Sequence, residues 1–566
     1  MSLFLKQFSF FLFLVAAICF CDYIYINTGA IGIDDGNIFL NYAQHIAQGQ
    51  GFVFNTNGER VEGFTSFLWV LICALGYLIT SNPELILICF SALLTTFTIT
   101  IIYQTIKRDI QILQPQFERH FFWIYTAFII CIGPSYIAWS VLSLMENALW
   151  NFVFTLLVVL VSKTIEKENV SLTRKIIIVL SGCVLTLTRP EALAWNFIFT
   201  CILLWTFSQH KRKIFFPLVY FICFALVSAC LTAFRLHYFG FQFPNTYYAK
   251  ISPDKIYNII EGSKYALSFL TGYQPIITFL FVLMTVMLLY SLFNFKLLKS
   301  NTDDFLPNAS IIKRCCIVTV IILVGFALPL TTGGDHFGGF RFYQSLLLLF
   351  AFGLLMIVWL MKNYKAYRSS TNIILLSAIV LFLSVIGLND LTDLKNPAKT
   401  QLNFEFLLAR EGRDMAENLN ASFNANKPAV GMIAVGGFGL KYRGITIDLM
   451  GLNNILMGHS PGDRKGIKNH AAFNKNVFYK LNPDLLLPAN ARNFKEATIE
   501  YFNLLDVNNF DNEAMKNIFN DDAFKKVYTP VFISNRKNNT SLFAFVNANF
   551  MQLEKNNPDI SVQKIL

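Results

Sequence analysis

The sequence predicts a polytopic α-helical membrane protein with a water-soluble α/β domain at its C-terminal end, and three observations predict it. The 566 residues are 55% hydrophobic and 15% aromatic, with 58 Phe, yet only 14% charged, whereas soluble domains carry roughly a quarter. Apolar runs of about 17–25 residues, the length that crosses a bilayer, recur from Phe4 to about Leu388. The charge density then nearly doubles, with 45 charged residues in the first 395 positions and 36 in the last 171. A soluble enzyme and a disordered chain are excluded.

The formal charge of +11 does not indicate a nucleic-acid partner, because the basic residues are scattered through short loops between apolar runs, where they act as topology signals. Cys73, Cys89, Cys183, Cys201, Cys223 and Cys230 sit inside hydrophobic spans, with no CxxC pair and no metal-ligand spacing, so neither a disulfide framework nor a zinc site is expected. The first apolar run follows Lys6 and has no small-x-small cleavage site after it, which makes it an uncleaved span rather than a signal peptide.

Basic clusters at Lys6, Lys107/Arg108 to Arg119, Lys163 to Lys175, His210 to Lys213, Lys296 to Arg314 and Lys362 to Arg368 should all be cytoplasmic. They all fall inside if the stretch 65–106 makes one net crossing, with 65–80 re-entrant. Eleven crossings result. The N-terminus is then cytoplasmic, residues 1–395 form the membrane domain with a first external loop over 22–64, and 396–566 form a domain on the outer side, in the periplasm or its equivalent; a bacterial inner membrane, with that outer side as its periplasm, is the expected location. Within that domain the pattern predicts a helix over Asn403–Asn420, strands at Ala429–Val435, Gly444–Met450 and Leu485–Pro488, and a hairpin from Val527–Ile533 and Ser541–Val546.

This topology gathers on the outer side the polar residues that interrupt the hydrophobic pattern: Asp34–Asp35, Glu146, Arg189 and Glu191, Asn245 to Lys250, Asp335–His336 and Arg341. Ionisable groups at membrane depth usually mark a site. After the acidic pair, Ile38, Tyr42, Ile46 and Phe39, Ala43, Ala47 repeat every four residues opposite Asn37, Asn41, Gln44, His45 and Gln48, the pattern of an amphipathic helix lying at the membrane surface. Helix capping accounts for one aspartate of the pair and leaves the other unexplained.

The run DDGNIFLNYAQHIAQGQGFVFNTNGERVEGFTSFLWVLICAL at 34–75 resembles the first-loop signature of the GT-C superfamily of polyprenyl-phosphate-dependent glycosyltransferases, in particular the set that includes the mycobacterial terminal arabinofuranosyltransferase and LphB-type proteins. MENAL (145–149), TRPEAL (188–193), PNTYYAK (244–250), GGDHFGGFRF (333–342) and DLMGLNN (448–454) follow in the order of that set. The resemblance departs where a glycine expected before Met145–Glu146 is Leu144.

The resemblance implies transfer of a sugar, a pentofuranose such as arabinose among the options, from a polyprenyl-phosphate donor to a glycan or glycolipid acceptor, with inversion. Such a displacement needs a carboxylate to take the acceptor's proton and cations to hold the leaving phosphate. Asp34 or Asp35 is the candidate base, and the resemblance favours Asp34, with Asp35 orienting it or binding the acceptor. Arg189, Lys250 and Arg341 are the phosphate-binding candidates, with snorkelling at helix ends as the plainer explanation of each. Glu146, Glu191, Asn245, Tyr248, Asp335 and His336 are candidates for the sugar or acceptor. Asp335 and His336 could instead hold a divalent cation with Asp35, or simply belong to a turn built on Gly333–Gly334. No other cofactor is called for. The glycines of AVGGFGLKYRG (434–444) lack the GxGxxG spacing of a dinucleotide site. A transporter or lipid flippase is the competing class, and the absence of Gly/Pro-broken helices placed symmetrically in two halves counts against it.

Overall fold

The computed structural model describes residues 3–26, 32–165, 170–209, 214–293, 306–363, 402–423, 426–489, 497–536, 540–555 and 557–565. The expected span ending near Leu388 and the expected boundary at Lys395 lie outside these residues.

In chain order the principal helices are α1 (Leu3–Ile26), α2 (Asp34–Ala47), α3 (Phe67–Ile79), α4 (Glu84–Leu113), α5 (Glu118–Ile137), α6 (Asn147–Ser162), α7 (Leu172–Thr188), α8 (Ala192–Gln209), α9 (Phe215–Tyr238), α10 (Asn245–Lys250), α11 (Lys255–Gly272), α12 (Pro275–Phe293), α13 (Leu306–Thr332), α14 (Ala351–Asn363), α15 (Leu402–Ser422) and α16 (Gly436–Lys441). Among the described residues eight helical stretches are long and apolar enough to cross a membrane. The chain is a multi-pass membrane protein. α3, capped by the Ser66 hydroxyl accepting from Trp69 N–H, is only 13 residues long, about 20 Å against a hydrocarbon core of about 30 Å. It is too short to cross alone.

The chain divides into two compact units, each discontinuous in sequence. A helical unit holds 1–27, 85–231 and 258–402, and a second unit holds 28–84, 232–257 and 403–566. In the helical unit, several polar side chains inside the spans find partners locally. Along α4 the hydroxyls of Thr96, Thr98, Thr100 and Thr105 each donate to the carbonyl four residues earlier, which satisfies them without water. Buried Asp109 on α4 pairs with buried Arg314 on α13, so neither charge is left alone in a low-dielectric interior.

The second unit contains a six-stranded mixed sheet in the order β2-β1-β3-β5-β4-β6: β1 (Val430–Met432), β2 (Thr446–Asp448), β3 (Leu485–Leu487), β4 (Thr529–Asn535), β5 (Thr540–Val546) and β6 (Ile560–Lys564). β1 pairs in parallel with β2 and β3, while β5, β4 and β6 form an antiparallel half. Every residue of β1, β2 and β3 is buried, as parallel strands covered on both faces require. Leu449, Met457, Phe473, Phe478, Leu486, Phe524, Phe543 and Phe545 belong to its core. The helix and strands expected after residue 396 are therefore present.

α2 corrects one expectation. It is helical over the expected residues, but it does not lie on a membrane surface with its polar face in water. Asn37, Asn41 and His45 are as buried as Ile38, Phe39 and Tyr42. The polar face is covered because it hydrogen-bonds protein: Asn41 Nδ2 donates to Phe54 O, and His45 Nδ1 lies 2.9 Å from Val53 O.

Candidate active site

The second unit brings the acidic pair, PNTYYAK and DLMGLNN into one constellation. Asp34 and Asp35 occupy the first turn of α2, where the helix dipole favours negative charge. Neither is the capping residue, which is Ile33. Asp34 is buried, and both its oxygens accept backbone N–H groups at the start of α16: Oδ2 from Gly436 at 3.0 Å and Oδ1 from Gly437 at 2.9 Å. The approach requires glycine, because a Cβ at Gly436 would fall 1.8 Å from Asp34 O. Asp35 is set differently. Its Oδ2 lies 3.5 Å from Lys250 Nζ, and the two side chains are 20% and 19% exposed.

Lys250 ends α10, and Asn245 fixes that helix at its other end. Asn245 Nδ2 donates to Gly451 O and Leu452 O at 2.7 and 3.1 Å, while its N–H donates to Glu62 O. Glu62 is gripped through both oxygens by Arg235 at the end of α9. The DLMGLNN loop is in turn organised by Asp448, which accepts Met450 N–H, Asn453 N–H and Asn453 Nδ2. Asn453 Oδ1 receives Tyr42 OH from α2 at 3.1 Å. Burial, and after it the nearby charge of Asp34, pushes the Asp448 carboxyl up to about 6, against the pull of its hydrogen bonds. The Tyr248 ring packs 4.2 Å from the His459 ring, and its carbonyl accepts Arg464 Nε.

The helical unit assembles the remaining candidates. Glu146 is the residue before α6 and makes no cap bond with its side chain. It is fully buried, and its Oε1 accepts Arg189 Nη1 at 2.6 Å. Arg189, just past α7, also meets Glu191 through Nη2 at 3.0 Å and lies between the rings of Trp150 and Phe342. Burial opposes it, yet the Arg189 guanidinium holds the Glu191 carboxyl below the usual carboxylate range. Asp335 Oδ2 accepts Arg341 Nε at 2.8 Å, and Asp335 Oδ1 accepts the His336 N–H. Arg341 Nη1 approaches Met145 Sδ at 3.7 Å, so MENAL, TRPEAL and GGDHFGGFRF meet. Asn147, Trp150, Arg189, Glu191, Arg341 and Phe342 line a cavity of about 180 Å³.

The backbone beneath this cluster is special. A π-helical turn over Ala138–Leu142 ends α5, and Leu144 then adopts φ +58°, a left-handed conformation that costs an ordinary residue about 1–2 kcal/mol. The glycine expected at 144 belongs to that conformation. On the facing loop Gly333, Gly334 and Gly339 are left-handed too, and a Cβ at Gly339 would lie 2.7 Å from Trp139 Nε1.

The sequence pointed to no role for Asp448, Gly436, Gly437 or Arg413, which donates from Nε to Asn37 Oδ1 at 2.7 Å and from Nη1 to Glu84 at 3.2 Å. The paired glycines of AVGGFGLKYRG were the available signal. Among the described residues no group of three or more His, Cys, Asp or Glu side chains gathers as metal ligands would.

Compared by sequence, the chain matches no protein-family model and no curated protein. Compared by structure, it is similar to ArnT from Cupriavidus metallidurans bound to undecaprenyl phosphate, at 9% identity and a TM-score of 0.51, covering 87% of this chain and 94% of that one. Two structures of the oligosaccharyltransferase of Archaeoglobus fulgidus match at 11% identity with TM-scores of 0.48 and 0.49, over 95% and 97% of this chain and 74% and 75% of theirs. One of these is AglB in complex with an inhibitory peptide and a dolichol-phosphate. The architecture is that of a polytopic helical membrane protein with a C-terminal α/β region, similar in fold to ArnT.

Proposed function

We propose that this chain is an integral-membrane glycosyltransferase that moves a sugar from a polyprenyl-phosphate carrier to a glycan or glycolipid acceptor on the periplasmic side of a bacterial inner membrane. The observation that carries the reading is the acidic pair at the head of α2 with Lys250 beside Asp35, on a fold similar to that of ArnT, which was solved with undecaprenyl phosphate. Asp35 is the base. Asp34 has both oxygens engaged by the N–H groups of Gly436 and Gly437 and serves to seat the turn, whereas the Asp35 side chain is 20% exposed, with Lys250 Nζ 3.5 Å away. Asp35 takes the proton of the acceptor hydroxyl, the freed oxygen forms a bond to the anomeric carbon, and the bond from that carbon to the phosphate oxygen breaks, releasing polyprenyl phosphate with inversion. Lys250, Arg189 and Arg341 are the cations assigned to the phosphate. Glu146, Glu191, Asp335, His336 and Tyr248 are assigned to sugar or acceptor, with Asn245 bracing α10. The resemblance carried by the DDGN and DLMGLNN motifs makes a pentofuranose such as arabinose one option for the sugar, and residues 396–566 serve the acceptor glycan.

The test is turnover of the purified full-length protein with radiolabelled polyprenyl-phosphate sugars and extracted envelope glycans. Label should pass into a glycan with wild type, and Asp35→Asn should lose that transfer by a factor of about 10²–10⁴, the usual contribution of a positioned base, while its melting temperature holds. Normal turnover by Asp35→Asn would remove it from the reaction. Lipid movement in proteoliposomes without any transfer would favour a transporter.

A further inference from the structure

The end of the helical unit formed by α1, α4 and α5 carries a crevice that the proposed reaction does not use. It measures about 380 Å³, and Tyr103, Lys107, Glu118, Arg119, Phe122 and Trp123 are among its walls. α4 ends at Leu113 and α5 begins at Glu118, joined by a single tight turn over Pro115–Phe117. Both helices are long and apolar enough to cross a membrane, and a turn between two crossings lies where hydrocarbon gives way to lipid headgroups.

The charges in the crevice are unevenly matched. Lys107 is buried with its Nζ 2.8 Å from Glu118 Oε1, and the other Glu118 oxygen accepts Gln111 Nε2 at 2.8 Å. Glu118 is thereby consumed. Arg119, one residue on, is exposed and has no ionic partner among the described residues. Below it along α5, three and four residues later and so on the same face, come Phe122 and Trp123, the latter 61% exposed. A free guanidinium at headgroup level with an exposed tryptophan one turn deeper is an arrangement suited to a lipid phosphate above an acyl chain.

We propose that this crevice binds an anionic glycerophospholipid, its phosphate on Arg119 with Lys107 behind it and an acyl chain along Phe122 and Trp123. The proposal stands independently of the transfer reaction, because none of these residues belongs to the acidic or phosphate-binding constellations.

The experiment is native mass spectrometry of the full-length protein in detergent, titrated with equal amounts of phosphatidylglycerol or phosphatidylcholine. Wild type should retain phosphatidylglycerol about fivefold more strongly, the contribution of one basic residue at a membrane surface, and Arg119→Gln should lose that preference while keeping its melting temperature and its turnover. Lys175→Gln, which removes a cation from the start of α7 instead, should keep the preference. Equal retention of the two lipids by wild type, an undiminished preference in Arg119→Gln, or displacement of phosphatidylglycerol by an equal amount of polyprenyl phosphate would each overturn the assignment. Should Arg119→Gln fail to fold, Trp123→Ala at the exposed end of the crevice replaces it, with weakened retention of phosphatidylglycerol expected and unchanged retention overturning the proposal.

Discussion

Replacing Gly436 by alanine puts a methyl group where Asp34 already sits. The new Cβ would stand 1.8 Å from Asp34 O, 2.6 Å from its carbonyl carbon and 3.0 Å from its Cγ, and two of these atoms are backbone that cannot swing aside. The start of α16 must therefore withdraw, and the N–H bonds from Gly436 and Gly437 to the Asp34 carboxylate are lost together. Hydrogen bonds to a charged group contribute about 1.5–3 kcal/mol each, and Asp34 is too buried to recover water in exchange, so about 3–6 kcal/mol is removed. For a unit of this size each kcal/mol lowers the melting point by about 2–4 °C, which places the loss on the order of 10 °C. The assay pairs a melting curve of the purified protein in detergent with transfer from a labelled polyprenyl-phosphate sugar. Gly436 has no side chain to offer a substrate, so joint loss of stability and turnover, matched by Asp34→Asn, marks Asp34 as an anchor that sets Asp35 in place. A Gly436→Ala protein that melts within about 2 °C of wild type, less than one kcal/mol is expected to produce, and turns over normally would refute the reasoning and return the base to Asp34.

The buried ion pair of the helical unit and the acid of the DLMGLNN loop yield two more expectations. Arg189→Ala strands Glu146, which is fully buried, and should cost about 3–5 kcal/mol; thermal unfolding of the single variant and of Arg189→Ala/Glu146→Gln checks this, since the second change should restore part of the loss. Asp448 has its pKa raised from 3.8 to about 6, first by burial, so the folded state holds the proton more tightly than the unfolded state. Its share of stability is therefore full below about pH 4 and is lost as pH rises through 6, on the order of 3 kcal/mol. Chemical denaturation from pH 7 to pH 4 should show the second unit gaining stability over that window relative to Asp448→Asn, and parallel pH profiles would contradict the assignment.

How much of this was legible in the sequence depended on the range of the interaction. Apolar runs report their own surroundings, so the multi-pass character was readable from length alone, although eleven crossings were expected and eight stretches among the described residues are long and apolar enough to cross; α3, at 13 residues, is too short to cross by itself. The strands at 430–432, 446–448 and 485–487 were visible as short apolar runs bounded by Gly, Pro and Asn. The surroundings of α2 were not readable, because periodicity shows that Asn37, Asn41 and His45 share a face but not that carbonyls of residues 33, 53 and 54 wait there. The bond from Gly436 to Asp34 spans 402 positions. Nothing local to either residue encodes it except the doubled glycine, whose value lies in having no side chain. Leu144 shows the reverse case: the expected glycine was absent, yet the left-handed backbone that favours glycine is present, held by the burial of Leu144 itself.

The ionic cluster of the helical unit sets a condition on any phosphate that would bind there. Three carboxylates, Glu146, Glu191 and Asp335, stand against the two guanidinium groups of Arg189 and Arg341, so the cluster is not electropositive as built, and an entering phosphate must compete with carboxylates for the same forks. The competitors are unequal. Glu146 is sealed in, whereas the Glu191 side chain is 33% exposed and can be solvated once a phosphate takes its place on Arg189. Arg341 places its Nε on Asp335, and its Nη1 approaches the sulfur of Met145 at 3.7 Å, a weak acceptor. A phosphate bound there would have to displace Glu191 from Arg189. Glu191→Gln removes the carboxylate that opposes this exchange, so it should tighten binding of a polyprenyl-phosphate donor by about tenfold, the equivalent of one lost competing charge-assisted bond of about 1.4 kcal/mol, with melting temperature nearly unchanged. Donor titration followed by intrinsic tryptophan fluorescence, with Trp150 against Arg189, measures it. Weaker binding by Glu191→Gln would mean that Glu191 contacts the ligand itself and that the phosphate lies elsewhere.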